Sequence, residues 1–262
     1  MATSPVLICR PGPRAAALAE AIAARGFAVE HGEAMALEAL PESPEMRAAW
    51  LDFDQFRRVV VVSPYAADCL AEALDRYWPQ LPVGIDYYAV GAATAATLHR
   101  ELGVRVHVPA AGGETTSEAL LALGSLQRLD DQRVLLVAGE GGRPLLAETL
   151  NERGARVTRL ALYRRRLLEP DATLRRRLAE GDYRALVITS GEILEHLARW
   201  CSPAALNQPL IVSSTRLATL AGTLGFRRPV VASGATPAAL AAAVAEEDPE
   251  KADIDHDDLE KG

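Results

Sequence analysis

Residues 134–166, VLLVAGEGGRPLLAETLNERGARVTRLALYRRR, place a strand, a glycine turn, a helix and a second strand in one short span. Residues 134–137 are an apolar run, Gly139-Glu140-Gly141-Gly142-Arg143 is the turn, and Leu145, Leu146, Thr149 and Leu150 fall at helical spacing before Gly154 stops the helix. The same unit stands 128 residues earlier. In VLICRPGPRAAALAEAIAARGFAVE, residues 6–30, Val6, Leu7, Leu18, Glu20, Arg25, Gly26 and Val29 occupy the positions of Val134, Leu135, Leu146, Glu148, Arg153, Gly154 and Val157. The echo predicts two similar half-molecules.

Outward from these units, short buried strands alternate with helices. Strands are predicted at 6–9 and 27–30 around a helix that ends at Arg25, and residues 35–40 are an apolar stretch cut by Pro41-Glu42-Ser43-Pro44. A regular series follows: strand 59–62, helix 65–77, strand 87–90, helix 92–102, strand 104–108 and helix 117–123, leading into the 134–166 unit with its second strand at 157–162. After Pro170 the rhythm resumes with helix 174–178, strand 185–189, helix 193–200, strand 210–213, helix 215–224 and strand 230–232, and Thr236 caps a last alanine-rich helix with Pro237 at its first position. The echo extends here too: VVVVSPYAADCL resembles ALVITSGEILEHL, and AVGAATAATL resembles IVSSTRLATL.

Buried strands of four or five residues between helices of ten to twelve imply βαβ units, hence parallel sheets covered on both faces. The expected fold class is therefore α/β, with two similar lobes, each a parallel sheet flanked by helices, joined by a two-stranded connector. Residues 1–36 and 167–245 form one discontinuous domain and 37–166 an inserted second one.

The 262 residues suit two domains, each able to bury a core. The formal charge of −7 belongs to one place: residues 246–262 hold nine acids and two lysines, while the other 26 basic and 26 acidic residues cancel. That segment reads as a solvated, disordered acidic tail. No nucleic-acid partner is expected, since no basic stripe with interleaved aromatics is present and aromatics make up 5%. No apolar run approaches the roughly 18 to 20 residues that span a bilayer, and the first residues carry Arg10 and Arg14 among prolines, so a cytoplasmic chain without a membrane partner is expected. Cys9, Cys69 and Cys201 are odd in number and far apart, which argues against a disulfide framework or a zinc ribbon. A monomer is the default.

In open parallel sheets, ligands bind beyond the carboxyl ends of the strands. Behind the predicted strands stand Arg10-Pro11-Gly12, Ser63-Pro64, Gly91 to Thr94, Gly139 to Arg143, Thr189-Ser190-Gly191 and Ser213 to Arg216. Each opens a helix, and unpaired amides at helix N-termini favour anions. Any one Ser or Thr there also reads as an ordinary N-cap. The glycine turn reads equally as a tight turn; position 144 is proline, so it is neither G-x-G-x-x-G nor a phosphate loop. Ser63 and Ser190 lack a G-x-S-x-G elbow, and His31, His99, His107, His196 and His256 show no metal-ligand spacing, so no metal is expected. Residues 164–166 fit a solvated strand end or an anion clamp, and Tyr163 by itself fits a packed strand tyrosine.

Together these residues resemble the uroporphyrinogen-III synthase family over nearly all of residues 5–245. The resemblance rests on the Arg-Pro opening with its Arg-Gly helix stop, Ser63 with Ala66, Val90-Gly91 with Thr94-Ala95, Gly141-Gly142-Arg143 with Leu146 and Arg153-Gly154, Tyr163-Arg164, Thr189-Ser190, and Ser214 with Arg216 and Ala218. The order and spacing of these scattered small residues carry it. At Tyr65 the family often has Asn, so a polar contact from that position is not expected here.

The resemblance implies two α/β lobes of one topology and a cofactor-free reaction. The implied substrate is hydroxymethylbilane, an open chain of four pyrroles with acetate and propionate arms, and the product is uroporphyrinogen III with ring D turned round. It further implies Tyr163 as the acid that helps the terminal hydroxyl leave. Ser63, Thr94, Gly142, Thr189, Ser190 and Ser214 would form a carboxylate cradle, with Arg10, Arg143 and Arg216 as charge partners. A two-lobed module that binds an anionic metabolite without transforming it has the same outward features and is the alternative.

Overall fold

The computed structural model describes residues 4–11, 14–109 and 116–247. Gly12 and Pro13 of the first turn, and the expected acidic tail from position 248 onward, lie outside the described residues. The elements run β1 (Val6–Ile8), α1 (Arg14–Ala23), β2 (Val29–His31), β3 (Met35–Ala39), α2 (Pro44–Leu51), β4 (Arg58–Val61), α3 (Pro64–Tyr77), β5 (Asp86–Ala89), α4 (Ala92–Leu102), β6 (Val106–His107) and α5 (Ser117–Leu121). They continue with β7 (Arg133–Gly139), α6 (Leu145–Glu152), β8 (Arg156–Leu167), α7 (Ala172–Glu180), β9 (Ala185–Ile188), α8 (Gly191–Ala198), α9 (Pro203–Leu206), β10 (Pro209–Val212), α10 (Thr215–Thr223), β11 (Arg228–Val231) and α11 (Pro237–Glu246).

The chain divides into two compact units, Met1–Ala36 with Arg166–Gly262, and Leu37–Arg165. The first holds a five-stranded sheet in the order β11-β10-β9-β1-β2, and the second a six-stranded sheet in the order β3-β8-β7-β4-β5-β6. All pairings of β1, β2, β9, β10 and β11, and those among β4 to β8, are parallel. Parallel strands are covered on both faces, which is why their sequences are continuous apolar runs. Side chains then sort by parity. In the second unit Val59, Val61, Leu135 and Val137 join α3 and α4 residues such as Leu70, Leu74 and Leu98 in one core. Val60, Val134 and Leu136 join Leu120, Leu146 and Leu150 on the other face. The first unit repeats this, with Leu7, Leu186 and Leu210 against Leu178, Leu194 and Leu217, and Val6, Val187 and Ile211 against Leu18, Ile22 and Leu240. Burying each such side chain contributes about 1.5–3 kcal/mol relative to exposure.

The internal echo holds at the level of strand register. Val6 faces Val29 across β1 and β2, and Val134 faces Val157 across β7 and β8, each shifted by 128. Gly26 and Gly154, which end the intervening helices, share a left-handed conformation at φ +89° and +90° that side-chain-bearing residues rarely adopt. Val6 pairs with Ala185 as Val134 pairs with Arg58. The strand order β2-β1-β9-β10-β11 thus repeats as β8-β7-β4-β5-β6, but the βαβ unit opens the chain in the first unit and closes it in the second. β3 and β8, neighbours in the sheet, are the strands in which the chain passes from one unit to the other.

Four local readings change. The third-strand echo is off by one residue: register and N-caps match Gly91 to Ser214, so Thr94 corresponds to Leu217 instead of Arg216. Residues 44–51, for which no element was expected after the break at Pro41-Glu42-Ser43-Pro44, form α2, with Ser43 capping the Met46 amide and Pro44 in the first turn. The same Ser-Pro start precedes α9 at Ser202-Pro203. Helix 117–123 stops at Leu121, and β8 extends through the arginine run to Leu167.

Candidate active site

Because β4, β5, β6, β7 and β8 run parallel, as do β1, β2, β9, β10 and β11, the carboxyl ends within each set share one edge. In the second unit that edge brings together Ser63 after β4, Gly91 after β5, the glycine turn after β7, and Tyr163 within β8. Ser63 is extended (φ −151°) and its Oγ accepts from the Ala66 amide at 3.2 Å, capping α3. The same Oγ lies 3.0 Å from the Tyr163 hydroxyl. The capping reading of Ser63 therefore holds, and the same oxygen also reaches the Tyr163 hydroxyl.

Tyr163 is 8% exposed, and three neighbours set its ring. Tyr65 meets it edge to face, with centroids 5.1 Å apart and planes at 85°. Gly139 lies under it: a Cβ there would stand 2.6 Å from Tyr163 Cζ. A bulge between Ala138 and Gly139 shifts the register so that Gly139 faces Tyr163, and the Glu140 amide donates to the Tyr163 carbonyl at 2.7 Å. The sequence marked Gly139 as a turn residue and Tyr65 as a departure from the resembled family. Close approach to the ring and a packed ring edge are what the two supply.

The glycine turn continues through Gly141 (φ +71°) and Gly142 (φ +84°) into α6, whose N-cap is Pro144 with no side-chain cap. Arg143 is exposed and pairs with Glu118 at 2.6 and 3.2 Å. The hydrogen bond from Arg143 holds the Glu118 carboxyl below its ordinary range. A cavity of about 160 Å3 is lined here by the turn together with Arg159, Tyr163 and Arg165. Thr94, expected in the cradle, is 3% exposed, as its correspondence to Leu217 explains; the amides at the start of α4 follow Gly91, which caps without a side chain.

In the first unit the edge carries Arg10, Thr189, Ser190, Ser214 and Arg216. Ser214 Oγ accepts from the Leu217 amide at 3.4 Å. Ser190 stands at the N-cap of α8 but makes no side-chain cap. The Arg216 guanidinium reaches across from α10 to the start of α8, where a Cβ on Gly191 would lie 3.9 Å from its Nη1. Arg10 donates to the Ala235 carbonyl at 3.2 Å and lines a cavity of about 300 Å3 with His31, Glu33 and Met35. This cavity is the counterpart of the one in the second unit. Shifted by 128, Pro11, Ala15, His31 and Met35 fall on Gly139, Arg143, Arg159 and Tyr163, which line the other. The duplication is therefore visible in the cavities, and the phenol stands in only one of them.

Among the described residues no three His, Cys, Asp or Glu side chains gather as a metal site, and no helix is long and apolar enough to cross a membrane.

Residues 16–242 match the family described as Uroporphyrinogen-III synthase HemD. The uroporphyrinogen-III synthase of Escherichia coli is 32% identical over 90% of this chain and 97% of its own length, and that of Salmonella typhimurium 34% identical over 90% and 97%. The crystal structure of the Helicobacter pylori uroporphyrinogen-III synthetase shares the fold, with a TM-score of 0.58 at 16% identity, covering 92% of this chain and 99% of that one. These relatives carry the synthase reading and not that of a binding module without catalysis. With the family model matched over most of its length and relatives above 30% identity covered almost end to end, the chain belongs to the uroporphyrinogen-III synthase family.

Proposed function

We propose that the chain is a cofactor-independent hydro-lyase that closes hydroxymethylbilane to uroporphyrinogen III, with loss of water and inversion of ring D through a spiro intermediate. The observation that carries the reading is the Tyr163 hydroxyl, held 3.0 Å from Ser63 Oγ beside a turn rich in backbone amides. A tyrosine hydroxyl carries an O–H that can donate a proton. Tyr163 gives it to the terminal hydroxyl, the carbon–oxygen bond breaks, and water leaves an azafulvene. Ring D attacks that carbon through its own substituted position; the spiro centre then opens at its bond to the bridge from ring C, that bridge carbon bonds the free α-carbon of ring D, and the proton lost there restores the Tyr163 phenol. The overall change releases one water and transfers no electrons, so it asks for no redox group.

Unguided, the azafulvene closes to the unrotated type I ring, so the chain of pyrroles must be held. Its carboxylate arms are taken by Gly142 and the neighbouring turn amides, by the start of α4 after Gly91 with Thr94 behind it, and by Thr189, Ser190 and Ser214. Arg10, Arg143 and Arg216 supply charge. Proximity and orientation contribute up to about 7–11 kcal/mol in favourable cases, against roughly 10²- to 10⁴-fold from a general acid. Holding the substrate therefore outweighs the acid. A polycarboxylate substrate stays in water, which supports a cytoplasmic reaction, and the reading takes the chain as a monomer.

The test is to give the purified protein freshly made hydroxymethylbilane, oxidise the product and separate the isomers. Type III uroporphyrin is expected in proportion to enzyme; type I alone at every enzyme concentration rejects the reading.

A further inference from the structure

We propose that Arg159 is a positioning residue for substrate carboxylates at the glycine turn of the second unit. Its Nη2 donates to the carbonyl of Gly141 and, at 3.4 Å, to that of Gly139. A charged donor that holds two carbonyls of one short turn fixes the peptide planes between them. The amides of Gly141, Gly142 and Arg143 have no acceptor among the described residues, and with the carbonyls turned to the guanidinium they remain for an anion. Arg159 is exposed, lines the cavity of about 160 Å3, and has no carboxylate partner among the described residues, so its charge is not cancelled locally.

The pull on Gly139 has a second effect, because Gly139 is the residue on which the Tyr163 ring rests. One side chain thus links the anion-binding turn to the phenol. No sequence motif marked Arg159, and its counterpart in the first unit is His31. Among the described residues, the tie is seen in the unit that has the phenol.

The proposal rests on the reading above that the turn takes carboxylate arms, so two readouts are measured. The variants are Arg159→Met and Arg159→Lys. The control is Arg156→Gln, which removes an equal charge at the first residue of β8, where Arg156 pairs with Asp131. Steady-state turnover of hydroxymethylbilane gives KM and kcat, and quenching of intrinsic fluorescence gives the Kd of uroporphyrin III, whose carboxylates are the probe. For Arg159→Met, KM and Kd are expected to rise about tenfold, which is ~1.4 kcal/mol, with a smaller change in kcat. Arg159→Lys recovers part of the loss, and the control keeps the wild-type values. Wild-type KM and Kd in both Arg159 variants, or rises no larger than those of the control, overturn the proposal. A wild-type protein that makes only type I product yet loses uroporphyrin binding on Arg159→Met rejects the synthase reading and leaves the role of Arg159 standing.

Discussion

Ser63 Oγ and the Tyr163 hydroxyl, one hundred residues apart in the chain, meet at 3.0 Å on the carboxyl edge of the parallel strands of one sheet. Ser63 also caps α3 through the Ala66 amide, so a helix start holds the serine and the serine holds the phenol. Tyr163→Phe is expected to lower kcat about 10²-fold while KM stays near wild type, and to leave measurable type III product. Ser63→Ala lowers kcat less, and the double variant is no worse than Tyr163→Phe, since serine acts through the hydroxyl it has lost. Fully additive losses in kcat would refute the coupling.

Gly139→Ala places a methyl group 2.6 Å from Tyr163 Cζ, where the ring is already fixed by Tyr65. Overpacking of this kind costs about 1–3 kcal/mol. A lower melting temperature and a lower kcat are expected together. In a Tyr163→Ala background the same change costs little stability, because the ring it strikes is gone. Equal costs in both backgrounds would place the strain elsewhere.

Ser190 and Ser214 separate capping from binding. Ser214 caps α10 and Ser190 makes no side-chain cap. Ser214→Ala is expected to lose about 1 kcal/mol in denaturant unfolding. Ser190→Ala leaves stability unchanged and raises KM. A stability loss at Ser190 equal to that at Ser214 contradicts the assignment.

Alkaline pH should loosen the fold. Burial pushes the Cys9 thiol up to about 12, with Cys201 adding to it, and burial pushes Cys201 up to about 12 and Cys69 up to about 11. Tyr87, its hydroxyl buried without a partner among the described residues, is pushed up to about 12. Each group is an acid whose folded-state pKa is raised, so the unfolded chain releases its proton first and binds fewer protons above the unfolded thiol pKa of about 8.5. The contribution is complete below that pH and is lost as pH climbs toward 11 to 12. Melting temperature is expected to fall from about pH 8.5 upward, less steeply in Cys201→Ala, and the native thiols should resist iodoacetamide at pH 8. A flat melting temperature from pH 8 to 11 rules this out.

Ser43→Ala tests α2, the helix not expected from the sequence. Loss of its cap on the Met46 amide costs about 0.5–2 kcal/mol, seen as a lower denaturant midpoint with KM and kcat unchanged.

Residue spacing by itself determined the parallel α/β sheets, the repeat by 128 and the strand-end turns, because both-face burial and helix stops write themselves into apolar runs and glycines. Thr236-Pro237 was legible as a cap, and Ser43-Pro44 and Ser202-Pro203 carry the same signal. Tertiary structure alone decided the one-residue register that buries Thr94, the bulge that slides Gly139 beneath Tyr163, and the reach of Arg159 to two carbonyls. Each depends on which strand lies beside which, and local propensity says nothing about a partner twenty or a hundred residues away. For the same reason the two units look alike in sequence, while only one of them sets a phenol where its twin sets Met35.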